Sequence, residues 1–188
     1  GEWSKEKSKT IACSPAAKMS KAGLGLGFLG AGGFANGVLL PALSKDKAVH
    51  FGGVCANSGK SAEQTASRHS FSYSTTDVDK VISDEAHSAI VVATRHGSHS
   101  ELVCKSLLQG KHVFVEKPLC LNEEQLLDIS NAIEESQGFE QPPFLMVGFN
   151  RRFSPHAIEL KQFFANRQAP MVISYRINAG NIPRDYWI

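Results

Sequence analysis

The chain of 188 residues is poor in cysteine, methionine and tryptophan, with four, three and two of each, and carries no surplus of charge, 20 basic side chains standing against 18 acidic. Cys13, Cys55, Cys104 and Cys120 form no close pair of the metal or redox kind, and the seven histidines lack a zinc spacing, so neither a metal site nor a disulfide framework is expected. Reduced, mostly buried thiols follow. No basic cluster exists beyond Arg151-Arg152, which excludes the electrostatic footprint of a nucleic-acid or anionic-membrane binder. No apolar run approaches the ~20 residues that span a bilayer, and residues 1–22 lack the apolar core of a secretion signal. The expectation is a cytoplasmic protein without nucleic-acid or membrane partners.

What the chain does have is glycine behind an apolar run. Leu24 to Ala35 reads LGLGFLGAGGFA, a Gly-x-Gly-x-x-Ala turn after a candidate strand. Such glycines let the backbone turn tightly and approach a pyrophosphate, toward which the first amides of the next helix point. Two frames fit, one starting at Gly25 and one at Gly30. Only the second has apolar residues, Leu24, Leu26, Phe28 and Leu29, to form a strand before it. Taken alone, the motif is equally compatible with a glycine-rich buried strand and an ordinary turn.

The rest of the chain alternates strand and helix signals. Residues 1–22 are polar and read as a flexible tail or linker. Phe34 to Leu43 suits a short helix bent or ended by Pro41. Strands are expected at Val49 to Cys55, Phe71 to Ser74, Ala89 to Ala93, His112 to Val115 and Phe144 to Val147, and helices at Ser61 to His69 and Asp77 to Ile82. A further helix has Ser98 and Glu101 at capping-box spacing, an apolar face of Val103, Cys104, Leu107 and Leu108, and Gly110 as its stop. Asn122 to Ser136 makes another, capped by Asn122 with Gln125 and striped by Leu126, Ile129 and Ile133. Alternation of this kind implies right-handed crossovers and a doubly wound α/β fold on a parallel sheet. Its domain spans residues 23–150, and residues 151–188 begin a second.

In such sheets ligands bind beyond the carboxyl ends of the strands. The segments there are polar and specific: Gly30 to Ala35, Ala56-Asn57-Ser58-Gly59-Lys60, Thr94-Arg95-His96-Gly97-Ser98-His99, and Glu116-Lys117-Pro118. GAGGFA, AIVVATRHGSHSELV, GKHVFVEKPL and VGFNRRFSP, in this order and spacing over residues 24–155, resemble the oxidoreductases typified by glucose-fructose oxidoreductase and inositol dehydrogenase (Gfo/Idh/MocA). The closing NAGNIPRDYWI resembles the branch in which such a domain follows a zinc alcohol dehydrogenase-like one, which would make residues 1–22 a linker.

The resemblance implies an NAD(P)-binding Rossmann domain. Gly30, Ala31, Gly32, Gly33, Phe34 and Ala35 would line the pyrophosphate. Thr94, Arg95 and His96 match a loop on the cofactor that is usually Thr-Pro-Asn. His99 matches a recurrent histidine, read either as a ligand contact or as a helix-start residue bonding the loop backbone. Glu116 would bond near the nicotinamide ribose, Lys117 would act at the substrate oxygen, and Pro118 would follow a cis peptide. The loop Ala56 to Lys60 lacks the carboxylate that NAD enzymes use for the ribose 2'-hydroxyl, while Asn57, Ser58 and Lys60 offer donors and charge for a 2'-phosphate. That favours NADP over NAD, although NAD held by backbone groups alone fits the same loop. Asn150 and Arg151 are expected substrate contacts, with structural ion pairing expected of at least one arginine among Arg151 and Arg152.

The implied activity is an NAD(P)-dependent dehydrogenase or reductase acting on a secondary alcohol or ketone of a small sugar-like or cyclitol molecule. Family members continue into a large open-sheet domain that carries another proton-transfer residue. Residues 151–188 would hold only its start, a helix at His156 to Phe164 and a strand at Met171 to Ile177, with Tyr186 and Trp187 left as exposed apolar surface. A homo-oligomer is expected where that domain is complete. A non-catalytic module that binds NADP(H) and acts as a sensor or in assembly is the alternative. An S-adenosylmethionine methyltransferase shares the glycine turn but leaves Glu116-Lys117-Pro118 without a reason.

Overall fold

The computed structural model describes residues 10–13, 23–178, 180–181 and 183. Among them seven strands form one sheet: β1 (Ile11–Ala12), β2 (Leu24–Leu29), β3 (Val49–Cys55), β4 (Tyr73–Thr75), β5 (Ala89–Val92), β6 (His112–Glu116) and β7 (Leu145–Gly148). Their order is β1-β4-β3-β2-β5-β6-β7. All neighbours from β4 to β7 run parallel, and β1 alone is antiparallel. The doubly wound α/β expectation is met. Strand order reverses on either side of β2, so the crevice between the ends of β2 and β5 is the switch point where this architecture takes ligands.

Continuous apolar stretches explain why the central strands are buried on both faces. On one face Leu26, Phe28, Val54 and Val91 pack with Leu40, Ala66 and Phe71, and the rings of Phe28, Phe51 and Phe71 meet at 5.0–5.9 Å between centroids. On the other, Leu29, Ile90, Val92, Val113 and Val115 pack beneath helices α3 (Val78–Ser83), α4 (His99–Leu108) and α5 (Glu123–Ser136). Each large apolar side chain removed from water in this way contributes about 1.5–3 kcal/mol before conformational entropy is subtracted.

Helix ends follow local chemistry. A π-helical turn at Ala35–Leu39 passes into α1 (Leu40–Leu43), with Pro41 in the first turn of the second piece, where its missing amide costs nothing. Helix α2 (Gly59–His69) is capped by Ser58, α3 by Asp77 and α5 by Asn122. Gln125 Oε1 accepts the Leu121 N–H while its own N–H donates to Asn122, a reciprocal cap. The cap expected at Ser98 is not made. Ser98 Oγ instead donates to the Arg95 carbonyl and meets Thr94 Oγ1 at 2.8 Å, and Glu101 pairs with Lys105 at 3.0 Å, because a short 3-10 turn at His96–Ser98 replaces the extended backbone that a cap needs. The buried face of α4 is accordingly Leu102, Val103 and Leu107, and Leu108 is exposed.

The expectation of a tail over residues 1–22 is corrected at Thr10 to Cys13. Ile11 and Ala12 pair with Ser74 and Tyr73, and Thr10 Oγ1 lies 3.2 Å from Thr75 Oγ1. The edge of β4 otherwise presents unpaired backbone groups, which even a polar segment can satisfy.

His87 is the buried keystone of the sheet's lower half. Its Nδ1–H donates to the Val81 carbonyl at 2.7 Å, and its Nε2 accepts the Gly53 N–H at 3.0 Å. A Cβ at Gly52 would lie 2.0 Å from the ring, and one at Gly27 would lie 2.7 Å from it, so these strand glycines make room for histidine.

The first compact unit ends at Gly148, two residues before the expected boundary. In the second unit, from Phe149, α6 (Pro155–Phe163) starts at Ser154, whose Oγ accepts the Ala157 N–H. The strand expected at Met171 to Ile177 is not formed: those residues are exposed and, among the described residues, pair with no strand. Tyr186 and Trp187 lie outside the described residues.

Candidate functional site

Strand β2 ends at Leu29, and Gly30 turns the chain at φ +109°, a conformation that excludes other residues. A Cβ there would lie 2.4 Å from the Ala93 carbonyl oxygen, so Gly30 also lets the ends of β2 and β5 approach. Its N–H donates to the Cys55 carbonyl at 2.8 Å, fastening the turn to β3. Gly32 and Gly33 face open space: a Cβ at either meets no atom within 4 Å. This is a cradle whose floor is backbone, and a pyrophosphate fits it. The competing frame at Gly25 falls inside the strand, where Gly27 serves the packing of His87.

Asn36 was not singled out by sequence reasoning, yet it holds the cradle. Its Nδ2 donates to the carbonyls of Ala31 at 2.9 Å and Gly32 at 3.2 Å and reaches Thr65 Oγ1 at 3.2 Å, linking the turn to α2. The only signal was a polar residue directly after the glycine pattern.

Beyond β3, Asn57, Ser58 and Lys60 are exposed. Ser58 Oγ accepts the Ser61 N–H, which spends an acceptor and leaves its O–H free to donate outward. Beneath the loop, burial, with the charges of Asp77 and Asp79, pushes the Cys55 thiol up to about 12, so it is inert. All four cysteines are free thiols, one buried and three half-buried.

At the end of β5, Arg95 is exposed and His96 is half-buried. Burial holds the His96 imidazole below its ordinary range, helped by the charges of His99 and Lys117. His99 is fully buried, with Nδ1 2.7 Å from the Pro118 carbonyl and Nε2 3.1 Å from the Thr94 carbonyl. The bonding to loop backbone expected of it is present. At the end of β6, burial raises the Glu116 carboxyl above the usual carboxylate range against the opposing pull of the Lys117 N–H, the Lys117 charge and His99. Its Oε1 lies over Gly148, where a Cβ would stand 2.9 Å away. Lys117 is exposed, and the Lys117–Pro118 peptide is cis, as expected.

The segments Gly30–Ala35, 56–60, 94–99 and 116–118 thus follow the carboxyl ends of β2, β3, β5 and β6, neighbours along one parallel sheet. Asn150 and Arg151 belong to the second unit, in a 3-10 turn at Asn150–Phe153. There the Arg152 guanidinium stands 5.6 Å from the Phe149 ring centroid, a cation–π contact. Among the described residues no group of three or more His, Cys, Asp or Glu is placed to hold a metal, and no helix is long and apolar enough to cross a membrane.

Residues 24–140 match the model of an oxidoreductase family with an NAD-binding Rossmann fold. Myo-inositol 2-dehydrogenase of Thermotoga maritima is 39% identical over 90 residues, covering 48% of this chain and 25% of that protein. Scyllo-inositol 2-dehydrogenase (NAD(+)) of Bacillus subtilis is 32% identical over 101 residues, covering 54% and 28%. The chain therefore spans about a quarter of the length of these relatives. Among solved structures, a 3-ketoreductase from Actinomadura kijaniata in complex with NADP and TDP-benzene superposes with a TM-score of 0.67 at 20% identity, covering 76% of this chain and 42% of that one. An NAD binding oxidoreductase from Klebsiella pneumoniae gives 0.65 at 24%, covering 77% and 39%.

Proposed function

The chain belongs to the Gfo/Idh/MocA oxidoreductase family, and on that premise we propose that it is the cofactor-binding part of a dehydrogenase or reductase that prefers NADP and acts on a secondary alcohol or ketone of a sugar or cyclitol. The observation that carries the proposal is convergence: the open glycine cradle after β2 and Glu116-Lys117 after β6 share one edge of a parallel sheet.

In this reading Gly30 to Ala35 hold the pyrophosphate through backbone amides, with Thr94, Arg95 and His96 beside the cofactor. A bound nicotinamide supplies hydride transfer at its C4. Glu116, partly withdrawn from water, orients the adjoining ribose. Lys117 presents its ammonium to the substrate oxygen, polarises it as a carbonyl, and exchanges the proton of the corresponding hydroxyl. Preference for NADP rests on the exposed Asn57, Ser58 and Lys60 in a loop without a carboxylate. The names of the inositol-acting relatives support the substrate class.

Titration calorimetry with NADPH and NADH tests the cofactor, and tighter NADH binding refutes the loop argument. Turnover on a panel of sugars and cyclitols tests the activity. Full turnover after Lys117→Ala removes its catalytic role. Cofactor binding by an enzyme-length protein without turnover on any alcohol or ketone favours the sensor alternative.

A further inference from the structure

His99 makes an arrangement that cofactor binding does not require. It is the first residue of α4 and has no exposed surface, yet each ring nitrogen faces the carbonyl of a different strand-end loop, Pro118 after β6 and Thr94 after β5. A carbonyl oxygen only accepts, so each contact asks the ring for an N–H, and both are satisfied together only when both nitrogens carry protons. The charged and titratable groups around the ring come from these same loops. His96 stands edge-on at 5.7 Å between ring centroids, and Glu116 and Lys117 lie immediately before Pro118.

Thr94 is held within its own loop by Ser98, and Lys117 is exposed. A long ammonium at a strand end is only as well placed as the backbone beneath it.

We propose that His99 is a positioning residue, a two-ended clamp that joins the loop bearing Glu116 and Lys117 to the loop bearing Thr94 and His96 and so sets Lys117 against the cofactor cleft. The clamp rests on the proposed function only for its consequence, the placement of Lys117. Its geometry stands independently. Loss of the clamp leaves the glycine cradle intact, so the effect falls on the chemical step more than on cofactor affinity.

The experiment compares wild-type protein with His99→Phe, which keeps a ring but no donor, and His99→Gln, which keeps an amide donor for one carbonyl. Long-range proton–nitrogen spectra of the wild-type imidazole report whether both nitrogens carry protons. Cofactor Kd is read by NADPH fluorescence, and kcat and KM by turnover of the full enzyme. The expected result is a ring with both nitrogens protonated, a kcat for His99→Phe lower by about tenfold or more, an NADPH Kd within about twofold of wild type, and partial rescue by His99→Gln. A ring with one bare nitrogen overturns the clamp, as does an unchanged kcat in a folded variant. Should His99→Phe not fold, His99→Gln and the wild-type spectrum decide. A wild-type protein that binds neither NADPH nor NADH refutes the proposed function, while its His99 spectrum still decides the clamp.

Discussion

Replacing Gly32 by alanine separates the cradle's role in binding from its role in folding. Its φ is not left-handed, and a Cβ there meets no atom within 4 Å. The free protein should accept the methyl and even gain about 0.4–1 kcal/mol, because the unfolded chain loses conformational freedom. A bound pyrophosphate changes the outcome, since a phosphate oxygen on a backbone amide sits ~2.9 Å from the nitrogen and the new methyl stands in its approach. Losing one charge-assisted hydrogen bond costs about 1.5–3 kcal/mol, or roughly ten- to a hundredfold in Kd. Gly30→Ala should behave in the opposite way. There the methyl must adopt φ +109° and lies 2.4 Å from the Ala93 oxygen, 2.6 Å from its carbon and 2.8 Å from Thr94 N. Backbone strain and overpacking sum to about 2–5 kcal/mol of lost stability, a sizeable part of the 5–15 kcal/mol typical of a domain. Urea unfolding followed by circular dichroism reads the first quantity and calorimetric titration with NADPH the second. A folded Gly32→Ala protein with wild-type affinity would refute the cradle.

Three further expectations rest on separate features. Asn36→Ala removes bonds to Ala31, Gly32 and Thr65, and should cost about 1–2 kcal/mol in urea unfolding together with a weaker NADPH Kd. His87 is held neutral, its pKa lowered from 6.5 chiefly by burial. The unfolded chain therefore binds more protons below that value, so its contribution to stability is complete above pH 6.5 and declines as pH falls through 6.5 toward the folded value. Unfolding midpoints at several pH values should show this decline and show less of it in His87→Gln; equal slopes in both proteins would assign the loss elsewhere. Deleting residues 1–13 strips β1 from β4, and should lower the melting temperature and produce concentration-dependent association on size-exclusion chromatography as the bare edge pairs.

Strands β2, β3, β5 and β6 were legible in the sequence because strands buried on both faces are continuous apolar runs, and α5 because its cap and stripe are local. The capping box at Ser98 misled, since a 3-10 turn three residues long lies below the resolution of side-chain spacing. Strand β1 was invisible for a different reason. Thr10 to Cys13 has no pattern of its own and becomes a strand through the edge of β4, 61 residues or more along the chain. Asn36 and His87 likewise have roles that depend on partners distant in sequence, Thr65 for one and Gly53 for the other.

By itself the sequence determined the alternation of strands and helices, the glycine turn at Gly30 and the polar segments that close each strand, because these depend on apolar periodicity and on backbone freedom at single residues. Only the tertiary structure decided which of those segments touch. It assigned Gly27 and Gly52 to the packing of a histidine and Gly32 to an open cradle. It also turned His99 inward, onto the carbonyls of Thr94 and Pro118. Close approach across parallel strands is a property of register and burial, which no spacing along a single chain encodes.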